Sequence, residues 1–202
     1  MTIQTAAKKR GRPKTFDREH VLNVSMMAFW QDGPAAVSLN DVCKRAEVSR
    51  PSLYREFGGE DGLLAASLQK YFETAFVPIF KVLESNDPFQ KTLEDFASKM
   101  TNERVERGIP EGCLLVKIRS AVDHIGQDTA KVIERVHAWK LNAYVSWLDR
   151  CKENGSLTSD TNVQLLAAYI DAQMNLTMMR DARGDDRVLS RDILRLALGQ
   201  IA

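Results

Sequence analysis

Between Ser38 and Phe57 the apolar side chains fall at the three-and-four spacing of two short helices, each buried along one side. Leu39, Val42, Cys43 and Ala46 form the stripe of the first, which runs to about Arg45. Leu53 and Phe57, four residues apart, mark the second. Ser38 stands where a helix needs an N-cap, and Asp41 follows three residues later in a capping-box position that also favours the positive helix end. Ser49 caps the second helix, and Pro51 falls in its first turn, where a missing amide hydrogen costs little. Ser52, Tyr54 and Arg55 are left facing outward. Two short helices joined by a tight turn, the second basic and rich in hydroxyls, suit the major groove of DNA.

The rest of the chain continues in helical periods without sustained strand alternation, which predicts an all-α protein of about nine helices. A fourth helix covers residues 61 to about 81, with Phe72, Phe76 and Phe80 on one stripe. Pro78 interrupts it and is expected to kink or end it. A fifth fits 88–107 and a sixth 113 to about 125. A seventh, 128–154, carries Trp139, Tyr144 and Trp147 and has a stop at Gly155. The last two are 160–182 and 186–201. The final helix carries Leu189, Ile193, Leu194, Leu196, Ala197, Leu198 and Ile201 over more than one face, so it must bury a second side. Either a second subunit or the rest of its own monomer covers it.

Charge divides the chain. Residues 1–57 hold ten Lys plus Arg against six Asp plus Glu, a balance of +4, whereas the whole chain is only +1, leaving −3 for the remainder. A basic head on a mildly acidic body implies two functional units, one of which meets phosphate. Five of the cations lie in the stretch Lys8-Lys9-Arg10-Gly11-Arg12-Pro13-Lys14, whose Gly and Pro disfavour a helix. Its Arg-Gly-Arg-Pro core resembles the AT-hook, which places guanidinium groups along a narrow minor groove; the alternative is a basic tail of general affinity. No apolar run follows these cations and no stretch approaches the roughly 20 apolar residues of a membrane helix, so a cytoplasmic location is expected. Cys43, Cys113 and Cys151 lack metal-ligand spacing, and His20, His124 and His137 form no zinc-binding pattern. With no nucleophile-base pair, phosphate loop or metal constellation, neither an enzyme nor a cofactor is expected.

Over about residues 16–70 the sequence resembles the TetR family of bacterial transcription regulators. The resemblance rests on the helix at residues 21–30, the stop at Asp32-Gly33, Ser38 to Ala46, Val48-Ser49, Ser52-Leu53-Tyr54, Phe57 and Leu63-Leu64. Three positions depart from the pattern. Glu47 stands where the turn usually carries Gly, and would be strained at positive φ. Glu60, within Gly58-Gly59-Glu60-Asp61, stands where a phosphate-binding Lys is common. Val37 replaces a common Thr. A weaker resemblance, at Gly112-Cys113-Leu114-Leu115-Val116, extends into the ligand domain of that family.

The resemblance implies a basic arm (1–15), a three-helix DNA-binding head (16–60) and a helical ligand-binding and dimerisation body (61–202). It also implies a homodimeric repressor, released from a palindromic operator by a small-molecule effector or oxidant. In that frame Arg10, Arg12, Lys14, Ser38, Asn40, Ser49, Arg50, Ser52, Tyr54 and Arg55 meet DNA. Ser52 and Tyr54 hold phosphates, and Arg50 and Arg55 read bases. Phe76, Cys113, Trp139, Tyr144, Trp147 and Met174 are the candidate effector residues; the alternative for the aromatics and Met174 is plain core. Cys113, expected in the first turn of a helix with Lys117 one turn on, is either an oxidant sensor or a small buried hydrophobe. An architectural DNA-binding protein without an effector is the competing function.

Overall fold

The computed structural model describes residues 16–101 and 109–199, and every regular element among them is helical. Helices α1 (Arg18–Asp32), α2 (Leu39–Arg45) and α3 (Arg50–Phe57) form the head. Helix α4 (Glu60–Tyr71) leads into the body, which continues with α5 (Phe89–Thr101), α6 (Leu114–Ser120) and α7 (Gln127–Glu153). Helices α8 (Val163–Ala182) and α9 (Arg187–Leu198) complete it. No described helix is long and apolar enough to cross a membrane.

The head closes on the residues whose spacing marks its helices. Val21, Leu22 and Phe29 of α1, Leu39 and Val42 of α2, and Leu53 and Phe57 of α3 are all buried. Helix α1 then packs along α4, α4 along α7, and α8 against both α7 and α9, so α4 is the beam between head and body. Caps fix where the helices begin. Asp17 accepts from His20 N at 3.0 Å, Asn162 from Leu165 N at 3.0 Å, and Asp186 from Val188 N at 2.8 Å. Asn162 therefore starts α8 two residues after the position expected at Asp160. Gly155, at φ 78°, follows the end of α7 as expected.

Pro78 neither ends nor simply kinks the fourth helix. The chain passes from α4 into a π turn at Phe72–Phe76, makes one more α turn at Val77–Phe80, and tightens to a 3-10 turn at Lys81–Glu84. Proline has no amide hydrogen and its ring crowds the carbonyl four residues back, so the looser turn falls where the regular ladder is hardest to keep. The sixth helix is shorter than its pattern predicted, giving way after Ser120 to a 3-10 turn at Val122–His124. Cys113 is its extended N-cap residue and not part of the first turn. Gly112, at φ 71°, sets that entry: a Cβ there would stand 2.6 Å from Ala182 Cβ, so α6 begins in direct contact with the end of α8.

Candidate nucleic-acid interface and its link to the body

On the head, the turn between α2 and α3 is built by backbone bonds. Val48 N donates to Cys43 O at 3.0 Å and Glu47 N to Lys44 O at 3.4 Å, the paired bonds of a Schellman stop. The residue that must turn left-handed is Glu47, at φ 54°, the one non-glycine with positive φ among the described residues. The strain expected at this position is therefore present.

Caps orient the two helices. Ser38 Oγ accepts from Asp41 N at 3.2 Å, and the Asp41 carboxylate accepts from Ser38 N at 3.1 Å, closing the capping box. The Ser38 hydroxyl, then its amide, hold the Asp41 carboxyl below the usual range. Ser49 accepts from Ser52 N at 3.3 Å and starts α3. Arg50 is then brought against two neighbours. Its Nη atoms lie 3.4 Å from both Asn40 Oδ1 and Tyr54 Oη, and its guanidinium carbon lies 5.4 Å from the Tyr54 ring centre. Ser38, Asn40, Ser49, Arg50, Ser52, Tyr54 and Arg55 thus sit on one cap-and-helix unit, and all but the half-buried Ser52 are exposed. Arg10, Arg12 and Lys14 lie outside the described residues. At the turn into α4, a Cβ on Gly62 would stand 1.8 Å from Phe57 O, so the tight α3–α4 connection requires glycine.

Two joints tie head to body and a third ties the head end of α4 to α7, and none of them has a local signature in sequence. Trp30 Nε1 donates to Gly112 O at 3.0 Å, and Lys117 Nζ donates to Trp30 O at 2.7 Å and Gln31 O at 3.3 Å, so α6 holds the end of α1. Burial pushes the Lys117 ammonium pKa down. This lysine is committed to α1 and does not serve Cys113, contrary to the role expected for it. Cys113 is buried and accepts from Tyr71 Oη at 3.3 Å; Tyr71 in turn meets the Trp30 ring edge-on at 4.8 Å. The third joint is Asp61, in the first turn of α4. Its carboxylate accepts from Gly126 N at 3.1 Å, Asp128 N at 2.8 Å and Thr129 N at 3.2 Å, capping α7 from another helix. Burial alone would push the Asp61 carboxyl up, but bonds from Thr129, Asp128 and Gly126 outweigh it and hold it low.

The candidate effector residues separate into groups. Phe76 stacks on Phe80 at 4.8 Å, and Phe80 stands between Trp139 at 5.1 Å and Tyr144 at 5.3 Å. Trp139 and Phe80 line an open cleft of about 330 Å³ with Ala143, Ser146 and Arg150. Tyr144, Trp147 and Met174 lie deeper and are buried. Cys113 belongs to the head-body joint and not to this cluster.

The profile described as "Bacterial regulatory proteins, tetR family" matches residues 21–67. The chain is 27% identical over 171 residues to the HTH-type transcriptional repressor ComR of Escherichia coli (strain K12), covering 84% of this chain and 81% of that protein. It is 26% identical to the HTH-type transcriptional repressor BdcR of the same organism, over 71% of this chain and 72% of that one. In fold it is similar to a cysteine mutant of the TetR family regulator CifR complexed with 26-base-pair operator DNA. The TM-score is 0.81 at 22% identity, covering 95% of this chain and 100% of that one. It is also similar to the reduced form of E. coli NemR, with a TM-score of 0.77 at 21% identity over 91% of this chain and 94% of that one.

Proposed function

From the premise that this chain belongs to the TetR family of bacterial regulatory proteins, we propose that it is a repressor. It grips a palindromic operator as a homodimer and releases it when a small molecule or an oxidant reaches the body. The observation that carries this reading is the exposed face of α3, where Asn40 and Tyr54 hold the Arg50 guanidinium ready before DNA arrives. Set in the major groove, such a helix offers Arg50 and Arg55 to base edges and the hydroxyls of Ser52 and Tyr54 to phosphates.

Two-fold pairing supplies the second half-site. Leu165, Tyr169 and Leu176 on α8, with Val188, Leu189 and Leu196 on α9, are large apolar side chains left exposed on the two C-terminal helices. A symmetric four-helix contact buries them. Release follows if effector binding favours a body shape in which the joints at Asp61, Lys117 and Trp30 hold the two heads at the wrong spacing. The small-molecule branch is the better supported, because Cys113 is buried against Tyr71 and Lys117 is committed to α1, the surroundings of an unreactive thiol.

Selection of random DNA fragments by the purified protein tests the reading. Two inverted half-sites, about one helical turn apart or a multiple of it, are expected. Recovery of fragments with no shared sequence would overturn it in favour of an architectural DNA-binding protein.

A further inference from the structure

The interior of the body contains hydrogen-bonding capacity that the protein does not use. Lys140, Tyr144 and Trp147 follow one another at four and three residues on α7, and each is at most 3% exposed. Lys140 is fully answered. Its Nζ lies 2.6 Å from Asp171 Oδ1 and 3.3 Å from Asn175 Oδ1, while Asn175 Nδ2 donates to Asp171 Oδ2 at 2.9 Å. That triad is neutral, and Asp171 Oδ1 is met only by the Lys140 ammonium as an ion pair, without a hydrogen bond of its own. Tyr144 Oη and Trp147 Nε1, by contrast, are buried without a hydrogen-bond partner among the described residues. Both side chains look onto α5: Tyr144 meets Phe96 at 5.8 Å and Trp147 stacks on Phe89 at 5.1 Å. A core built for packing alone would use phenylalanine at both positions, since each buried donor left unmet is destabilising.

We propose that Tyr144 and Trp147 are the donor pair of the effector site, and that the effector is a neutral aromatic molecule whose carbonyl oxygen accepts from them. The assignment rests on the regulatory reading above and specifies its ligand. An indole nitrogen can only donate. Burial, and then the Asp171 charge, push the Tyr144 hydroxyl well above its ordinary pKa, so it too is a donor. A carboxylate is disfavoured by Asp171, and the Lys140 charge is already matched. A cation gains nothing from Tyr144 and Trp147, which only offer it donors, and the Asp171 charge that would attract it is already paired with Lys140. Phe80, Phe89 and Phe96 supply flat apolar walls, and Met174 and Met178, both buried on α8, have the flexible side chains that can turn aside to admit a ring.

Calorimetric titration of the full chain with acetophenone, ethylbenzene and benzoate tests this, the second being the same ring without the oxygen. Acetophenone should bind about 5- to 30-fold tighter than ethylbenzene, the span of one to two net hydrogen bonds, and tighter than benzoate. Tyr144→Phe keeps the ring volume, should melt no lower than wild type, and should lose part of the preference; Tyr144→Phe with Trp147→Phe should lose it all. Equal affinity for acetophenone and ethylbenzene in the wild type overturns the assignment. So does binding of none of the three, a preference that survives the double substitution, or water on both donors in crystals grown with acetophenone. Operator titration in parallel separates the failures. A protein that selects an operator but ignores the oxygen loses only this site, whereas one that selects no operator loses the regulatory reading.

Discussion

Glu47 occupies a left-handed turn at φ 54°, where an L side chain is strained by about 1–2 kcal/mol. Glycine removes that strain but gives back part of the gain through a freer unfolded chain, about 0.5–1 kcal/mol. Glu47→Gly should therefore raise stability by about 0.5–1 kcal/mol in urea denaturation; a lower midpoint would mean that contacts of the carboxylate outweigh the strain. The outward residues of α3 divide by what they offer DNA. Tyr54→Phe removes the hydroxyl proposed to meet a phosphate and should weaken binding to all sequences by roughly 1 kcal/mol. Arg50→Ala and Arg55→Ala should relax preference at particular base pairs, by about 1–3 kcal/mol each for a bidentate contact. Repeating the fragment selection with each variant distinguishes the two effects, and an unchanged consensus in both arginine variants removes them as base readers.

At the scale of elements, the carboxylate of Asp61 replaces the side-chain cap that α7 lacks at Gly126. Asp61→Ala should cost about 1–2 kcal/mol, comparable with the loss of a strong N-cap. Because the folded carboxyl is held below its unfolded value, its contribution is present above about pH 4 and fades as pH falls through the lowered value. Asp61→Asn should accordingly flatten the acid limb of a stability-against-pH curve, and an unaltered limb would place the main acid sensitivity elsewhere. This joint also marks where sequence reading stops. The caps at Ser38 and Ser49, the stripe of α2 and the tight turn between α2 and α3 involve residues within a few positions of one another, so local spacing reveals them. Asp61 and Thr129 are 68 residues apart, and Lys117 is 87 from Trp30, so only the packed chain brings these partners together. The effector candidates are intermediate. Their aromatic character is plain in the sequence, but which ring faces the open cleft and which donor is left without a partner depends on how α4, α5 and α8 meet α7.

For the whole molecule, neighbouring positions on α9 should have opposite fates. Leu194 is buried within the monomer at 1% exposure and Leu196 stands out at 69%. Leu196→Glu should leave the fold intact but place an unpaired carboxylate in the proposed subunit contact, weakening it by about 3–5 kcal/mol and giving monomers with little operator affinity. Leu194→Glu should instead unfold the body. Sedimentation with far-UV circular dichroism checks both, and a Leu196→Glu protein that stays dimeric would move the contact to other helices. The beam between head and body has its own rule about length. A π turn is an α-helix carrying one surplus residue, so Phe72–Phe76 is a place where chain length and helix phase are decoupled. Deleting one residue there returns the segment to the α period and leaves Phe80 facing Trp139 and Tyr144. The same deletion within Glu60–Tyr71 turns the side chains between it and the π turn by roughly 100°. Related chains whose beams differ by one residue are therefore expected to carry the difference at this turn, with the head still set at the same angle to the body.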